Sequence, residues 1–292
     1  MIETRTLEVP GATISFDVRG PLPPASAPVL LMIGQPMTAD GFATLASHFP
    51  DRTVVTYDPR GLGRSERNDG ESTHRPDRQA EDLHALIAEL GSGPVDLFGS
   101  SGGAVTGLAL VATHPHDVRT FVAHEPPLID LLPDAEHVHA ASRLVTATYH
   151  ERGWGAGMAM FIAMTAHQGE LTADFGAEPP DPAALGLPTA DDGSRDDPLL
   201  SGASDDVTDA GPGLDALRST PTRVVVAAGV ESHGLLTWRT SVALADALGT
   251  ELTEFPSHHG GFLGGEFGQQ GDPEAFAARL REVLEPASGY SQ

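Results

Sequence analysis

The sequence predicts an α/β fold in which a mostly parallel sheet of eight strands is flanked by helices. Short apolar runs alternate with segments of helical periodicity along residues 1–127 and again from residue 214, the order that places helices on both faces of a sheet. The central runs, such as residues 29–33 (VLLMI), are continuously apolar, as expected for strands buried on both faces. Residues 128–213 break the alternation, which indicates an insertion after the sixth strand.

The strands and helices follow from their apolar patterns in chain order. An edge hairpin opens the chain, with strands at residues 6–9 and 13–18 on either side of the turn signal Pro10-Gly11. The other six predicted strands cover residues 29–33, 53–57, 95–98, 118–123, 223–228 and 251–255. The predicted helices of the core cover residues 39–48, 79–90, 104–114 and 238–248, and a last helix carries Phe276, Leu280, Val283 and Leu284 on one face.

Residues 128–213 are predicted to form a helical lid, or cap, over the strand ends. Residues 134–151 have the pattern of an amphipathic helix, and residues 154–166 are apolar nearly all round. Residues 173–213 are rich in Asp, Pro, Gly and Ala and offer little to bury, so we expect a mobile loop there.

The composition limits the function classes. The 292 residues fit one α/β domain whose core combines residues 1–127 and 214–292. The chain has no cysteine, which excludes thiolate chemistry, and no lysine, which excludes Schiff-base catalysis and the lysine of a phosphate-binding loop. A net charge of −24 argues against nucleic acid or an anionic membrane as a partner. Because neither a leader-like N-terminus nor a long apolar run is present, we expect a cytoplasmic protein.

The segment Gly99-Ser100-Ser101-Gly102-Gly103 lies between a predicted strand and a predicted helix, the context of a nucleophile elbow. In such an elbow Ser101 sits on a strained turn with its hydroxyl pushed out of the sheet. Glycines two residues before and after the serine let the strand and the helix pass closely. The helix N-terminus also places the backbone N–H of Gly102 where an oxyanion would form. The alternative is a glycine-rich turn with a surface serine, and the candidate partners of Ser101 argue against it.

A serine hydroxyl is activated by a base that a third group orients. His259, on the loop after the last strand, is the predicted base because two glycines after it let the imidazole approach the elbow; its neighbour His258 competes. Two glutamates are candidates for the acid. Glu125 follows the sixth strand in a stiff segment before two prolines, and Glu231 follows the seventh strand in a more flexible loop. Rigidity favours Glu125, and Glu231 is the alternative acid.

The second oxyanion donor is expected from the loop after the third strand. Gln35, between Gly34 and Pro36, lies there, and its backbone N–H is the predicted donor. The residues predicted to contact the substrate through an apolar pocket wall are Met37, Trp154, Met158 and Phe161. Core packing is an equal alternative for the apolar segment 154–164.

The combination of these motifs resembles the α/β-hydrolase fold superfamily over essentially the whole chain outside residues 173–213. The motifs that carry the resemblance are strand–GQP, strand–DPRGLGRS, strand–GSSGG–helix, the insertion and a late HHGGF. A narrower resemblance is to the zearalenone lactonases, which share the Ser-Ser-Gly core of the elbow and a His-Glu pair after the sixth strand. In that family the glutamate is the acid of the catalytic triad, which implies this role for Glu125. Most of the superfamily places the acid where Glu231 stands.

The sequence thus predicts a serine hydrolase that cleaves a small apolar carboxylic ester or lactone through an acyl-enzyme intermediate. Two alternatives are a cofactor-free perhydrolase or haloperoxidase, which uses the same triad, and a non-catalytic ligand-binding protein on a hydrolase fold. No metal or organic cofactor is implied, since His137 and His139 have no acidic or histidine partner at a recognised metal spacing. A homodimer is compatible with the sequence.

Overall fold

The computed structural model describes residues 2–24, 27–211 and 213–285. Residues 1, 25, 26 and 286–292 of the predicted core and residue 212 of the predicted lid therefore lie outside the described residues. The strands are β1 (Ile2–Val9), β2 (Ala12–Arg19), β3 (Leu30–Gln35), β4 (Val54–Tyr57), β5 (Glu66–Arg67), β6 (Val95–Ser101), β7 (Val118–His124), β8 (Arg223–Gly229) and β9 (Thr253–Phe255). The helices are α1 (Ala43–Ser47), α2 (Pro76–Leu90), α3 (Gly102–Thr113), α4 (Ala135–Arg152), α5 (Trp154–Thr165), α6 (Asp205–Thr208), α7 (Leu214–Ser219), α8 (Leu236–Leu248) and α9 (Pro273–Leu284). Across the described ranges, no helix combines the length and the apolar character needed to cross a membrane.

The strands form one sheet in the order β1-β2-β4-β3-β6-β7-β8-β9, and β5 pairs with β2. β2 pairs antiparallel with both β1 and β4, whereas all pairs from β4 through β3 to β9 are parallel. The predicted mostly parallel sheet is confirmed, and the predicted strands form its main path. The additional strand β5 has only 2 residues, too short for an apolar pattern to indicate it.

Side chains of β3 alternate between two apolar layers, one on each face of the sheet. Leu31 and Ile33 belong to a cluster with residues of α2, α3 and α8, while Leu30 and Met32 belong to a cluster with residues of α1 and α9. All four side chains are fully buried, as a continuously apolar strand requires. Because both faces are covered, the carboxyl ends of the parallel strands are the expected location of a ligand site.

Local signals determine the ends of α2. Pro76 occupies its first turn, where a missing N–H costs nothing, so the helix begins before the predicted residue 79. Gly91 follows the last turn with φ 61°, the left-handed conformation that commonly ends a helix.

Between β7 and β8 the chain adds α4 and α5, as predicted, and these helices surround a third apolar cluster. The expectation that residues 173–213 bury little holds for most of the segment, and two side chains are the buried exceptions among its described residues. Leu200 is fully buried in the third cluster, and Val207 is buried against the cluster of α2 and α3. Each is a single apolar side chain in a polar segment, so neither produces a periodic signal. The boundaries of the predicted lid, residues 128–213, stay a prediction.

Candidate active site

The turn from β6 into α3 holds Ser101 in a strained conformation. β6 ends at Ser101, and α3 begins at Gly102. Ser101 has φ 56° and ψ −128°, and such conformations cost a non-glycine residue about 1–3 kcal/mol and cluster at functional sites. The packing also requires glycine, because a Cβ on Gly103 would lie 2.5 Å from the carbonyl oxygen of Ile33. The structure therefore has the strand, the tight turn and the helix that the motif predicts.

The end of β3 lies directly beside this turn. β3 and β6 are parallel neighbours in which Gln35 is the register partner of Ser101. Gly102 packs closely on Gln35, since a Cβ on Gly102 would lie 2.8 Å from the Gln35 carbonyl oxygen. The two residues predicted to donate to an oxyanion are thus neighbours at the N-terminus of α3, where the helix dipole favours negative charge.

The side chains of His259 and Glu125 are hydrogen-bonded. Nδ1 of His259 donates to Oε2 of Glu125 over 2.5 Å. The hydroxyl of Thr237 donates to the same carboxylate oxygen over 2.5 Å, and the backbone N–H of Gly229 donates to Oε1 over 2.9 Å. Glu125 is fully buried, and these three donors replace the hydration that its carboxylate loses on folding.

The position of Glu125 follows from the strand order. Glu125 comes directly after β7, and its N–H donates to the carbonyl of Ala227 in the adjacent strand β8 over 2.9 Å. Its φ of 51° turns the chain away from the strand direction. Ser257, two residues before His259, has φ 68°. Together with Ser101, three of the four non-glycine residues with positive φ in the described ranges lie at this site.

Charge pairing determines the protonation of both groups. Burial works to raise the pKa of Glu125, but the charge and hydrogen bond of His259 outweigh it and hold the pKa of this carboxyl well below its ordinary range. Burial works to lower the pKa of His259, but Glu125 raises the pKa of the imidazole above its ordinary value. The His259 side chain is 44% exposed. An accessible imidazole held in this way can take up a proton at Nε2 and be stabilised in its charged form.

Glu231, the alternative acid, and His258, the alternative base, make different contacts from Glu125 and His259. Glu231 is exposed, in a turn of 3₁₀ helix that follows β8. His258 uses both ring nitrogens within its own loop: Nδ1 accepts from the N–H of Gly260 over 3.0 Å, and Nε2 donates to the carbonyl of Gln270 over 3.2 Å. The structure thus brings Glu125, and not Glu231, to the imidazole of the HHGGF loop.

A cavity of about 580 Å³ opens at this edge of the sheet. Ser101, Gly102, Gln35 and His259 all line it, so the predicted nucleophile, base and two oxyanion donors meet at one place. The cavity is large enough for a small organic molecule. Much of its remaining wall is apolar and comes from α5 and from residues 199–208.

The predicted apolar contacts divide into two groups. Met158 and Phe161 line the cavity. Met37 instead packs against the cluster that α1 and α9 cover. Trp154 packs in the cluster of α4 and α5, and its indole N–H donates to Asp197 over 2.9 Å. The apolar segment of α5 therefore serves both as pocket wall and as packing surface.

Two neighbours of the pair, Thr237 and His124, were given no role of their own from the sequence. Thr237 contacts Glu125 from 112 residues away, a separation over which no sequence pattern predicts contact. His124 lies behind the pair, with its ring centroid 6.1 Å from that of His259. Burial lowers the pKa of His124 to about 4, so this imidazole is neutral at pH 7, and its Nδ1 lies 3.2 Å from Oγ of Ser100.

One group of side chains in the described residues has the composition of a metal site. His84, His114 and Asp117 place ligand atoms within 4.8 Å of one another. The two imidazole rings are stacked with planes 9° apart, so their lone pairs run in parallel planes and do not converge on one ion. His84 is hydrogen-bonded to Asp117, and His114 to Glu81. The group lies at the far end of α3, about 18 Å along this helix from the elbow, and none of its members lines the cavity.

The fold of the chain agrees with that of known relatives. Residues 27–149 match the family model described as the α/β hydrolase fold. The chain is 32% identical over 290 residues to the uncharacterized hydrolase YraK of Bacillus subtilis (strain 168), and the match covers 97% of each protein. The chain therefore belongs to the α/β-hydrolase fold family.

Two solved structures show the same architecture. One is a thermophilic esterase from Thermogutta terrifontis, with a TM-score of 0.66 and 18% identity over 97% of this chain and 98% of that chain. The other is the enol-lactonase from Burkholderia xenovorans LB400, with a TM-score of 0.64 and 17% identity over 96% of this chain and 99% of that chain. At these identities the likeness shows the fold.

Proposed function

We propose that the protein is a serine hydrolase that cleaves a carboxylic ester or lactone of a small, mostly apolar molecule. The observation that carries the proposal is the strained Ser101 sharing one cavity with His259, whose imidazole is hydrogen-bonded to the buried Glu125. The family supports hydrolysis. The names of the two solved relatives, an esterase and an enol-lactonase, support an ester or lactone as the substrate class.

Acylation begins when Oγ of Ser101 attacks the substrate carbonyl carbon and Nε2 of His259 takes up the hydroxyl proton. Glu125 keeps Nδ1 of the imidazole protonated and stabilises the imidazolium. The backbone N–H groups of Gln35 and Gly102 donate to the oxyanion, each worth about 3–4 kcal/mol of barrier when removed. The intermediate collapses as the C–O bond to the leaving group breaks and His259 returns the proton to the alcohol oxygen.

Deacylation repeats these steps with water as the nucleophile. His259 takes a proton from water, whose oxygen attacks the acyl carbon. The bond to the serine oxygen then breaks, and the proton returns to Ser101. For a lactone, the alcohol produced in the first half-reaction stays attached to the acyl group, and water releases one hydroxy acid.

The predicted lid supplies the apolar part of the pocket in this proposal. Met158 and Phe161, from α5, contact the apolar body of the substrate. Residues 199–208 form a second part of the wall. Covering the reacting carbonyl with apolar side chains strengthens the hydrogen bonds that the oxyanion accepts, because it excludes water. We assign residues 128–213 to the lid and the rest of the chain to the core.

The test is hydrolysis of p-nitrophenyl butyrate by Ser101→Ala, with Ser100→Ala as the matched control. We expect the first variant to lose at least about 10⁴-fold in kcat, because the nucleophile is removed. Ser100→Ala should keep hydrolysis, since that hydroxyl faces His124. A fluorophosphonate probe followed by mass spectrometry should label Ser101 in the native protein. A Ser101→Ala variant that retains the native rate would refute the mechanism.

A further inference from the structure

The side-chain amide of Gln35 is buried without a hydrogen-bond partner. The residue is 3% exposed, and neither Nε2 nor Oε1 has a partner within the described residues. Folding strips such an amide of water and gives nothing in return, so an unpaired buried amide is unfavourable. Since buried polar groups in native proteins are nearly always hydrogen-bonded, this exception requires an explanation.

The explanation is in the position of the residue. Gln35 ends β3 as the register partner of Ser101 and lines the cavity that holds the serine. A second unpaired polar atom, the hydroxyl of Ser232, belongs to another fully buried residue that lines the same cavity. Two unpaired polar side chains on one cavity wall indicate that a bound molecule supplies their hydrogen bonds.

The charge of the cavity limits what that molecule can be. Within the described residues that line the cavity no arginine occurs, and the chain has no lysine. The carboxyl of Asp205 also lines the cavity, and the protein carries a net charge of −24. The basic groups among these lining residues are the imidazoles of His258 and His259, which are already hydrogen-bonded to the protein. An anionic substrate group would therefore meet no permanent positive charge and would be repelled by Asp205, so an uncharged polar group suits Gln35 better.

We propose that the carboxamide of Gln35 recognises a hydroxyl group next to the scissile carbonyl, so that the preferred substrates are uncharged hydroxy esters or hydroxy lactones. A hydroxyl suits either atom of the amide, because it accepts from Nε2 and donates to Oε1. The backbone N–H of the same residue faces the carbonyl in the proposed reaction, which places a neighbouring hydroxyl within reach of the side chain. This inference rests on the proposed function and names its substrate class.

The experiment compares kcat/KM for ethyl hexanoate with kcat/KM for ethyl 2-hydroxyhexanoate and ethyl 3-hydroxyhexanoate. We expect the native protein to prefer at least one hydroxy ester by about 10–100-fold. Gln35→Met, which keeps the length and the backbone N–H of the residue, should bring this ratio close to one. The matched control is Gln79→Met. Gln79 is also fully buried with an unpaired Nε2, but it lies in α2 and does not line the cavity, so its variant should keep the native ratio.

The outcomes separate the inference from the mechanism. Hydrolysis of ethyl hexanoate that depends on Ser101, without a preference for either hydroxy ester, would overturn the inference and leave the mechanism standing. An equal loss for all three esters in Gln35→Met would also overturn it, because the amide would then act on the carbonyl itself. Calorimetry on the Ser101→Ala variant measures the dissociation constants of the same three esters without turnover. A hydroxy ester should bind more tightly than ethyl hexanoate to Ser101→Ala, and this difference should disappear in Ser101→Ala/Gln35→Met.

Discussion

Two carboxylates of this protein, Glu125 and Asp82, have similar burial and different hydrogen-bond partners. Glu125 is fully buried and is hydrogen-bonded to His259 over 2.5 Å. Asp82, in α2, is equally hidden from solvent and accepts two hydrogen bonds from Arg60, from Nε over 2.8 Å and from Nη2 over 2.6 Å. Burial of a charge by itself therefore does not distinguish a candidate catalytic pair from a structural ion pair.

The difference lies in the partner and in access. Arg60 is buried, keeps its proton at any physiological pH and cannot exchange it with a ligand. The imidazole of His259 can both lose and regain its proton, and its side chain is partly exposed and lines the cavity. A pair that can change charge and meet a ligand is suited to catalysis, whereas a closed pair with a permanent charge is suited to hold elements together.

The arginine pair belongs to the motif DPRGLGRS, which the family resemblance included. In the same motif Asp58 accepts a hydrogen bond from the backbone N–H of Ala39 over 2.9 Å. Ala39 begins the turn of 3₁₀ helix that follows β3, whose last residue is Gln35. The motif therefore supports the loop of the predicted oxyanion donor from behind, without contributing a side chain to the cavity.

The largest effect that sharpens this comparison is expected from Glu125→Gln. Glutamine cannot hold the imidazole in its productive tautomer or offset its charge, so kcat should fall by about 10⁴-fold. The matched variant Glu231→Gln should stay within about 2-fold, because that side chain is exposed. The measurement is p-nitrophenyl butyrate hydrolysis by both purified variants. A large loss in Glu231→Gln alone would assign the acid to the loop after β8.

The second effect is on stability rather than on rate. Arg60→Met leaves two carboxylates, Asp82 and Asp69, without their buried partner, which should lower the free energy of unfolding by about 3–5 kcal/mol. Urea denaturation measures this loss. The double variant Arg60→Met/Asp82→Leu should recover part of it, because the buried charge is then also removed. The folded fraction of Arg60→Met should keep the native kcat. If kcat of Arg60→Met instead fell as far as kcat of Glu125→Gln, the distinction between the two pairs would be wrong.

The smallest effect is a shift in pH dependence. The base must be neutral, and Glu125 raises the pKa of His259, so kcat/KM should rise with pH through a value above about 6.5. In Glu125→Gln the rise of the residual activity should have its midpoint at a lower pH, because the carboxylate that raises the pKa of His259 is gone. Rate profiles of native protein and variant measure this shift. An unchanged acid limb in Glu125→Gln would contradict the electrostatic coupling.

The same pair makes stability depend on pH with a definite sign. The raised pKa of His259 gives a contribution that is complete below its unfolded value of about 6.5 and is lost as pH rises through the folded pKa. The lowered pKa of Glu125 gives a contribution that is complete above about 4.3 and is lost as pH falls through the folded pKa. Their joint stabilisation is therefore greatest between about 4.3 and 6.5.

Much of the architecture was predictable because it depends on local patterns. The continuous apolar run of β3 predicted a strand buried on both faces. The glycines around Ser101 predicted a turn in which strand and helix backbones nearly touch, as the spacing at Gly103 shows. Leu200 and Val207 were missed because each is an isolated apolar residue, and only contact with distant elements buries them. The narrower resemblance to the zearalenone lactonases stays a prediction.

The sequence by itself determined the order of strands and helices, the elbow at Ser101 and the candidate His259, since periodicity and neighbouring residues carry these features. Only the tertiary structure decided which glutamate contacts that histidine, because β7 and β8 become neighbours through pairing of strands far apart in the chain. The tertiary structure also decided that Thr237 donates a hydrogen bond to Glu125 and that the amide of Gln35 is left unpaired. A hydrogen bond made or left unmade depends on what the fold brings within about 3 Å, and no local pattern contains that information.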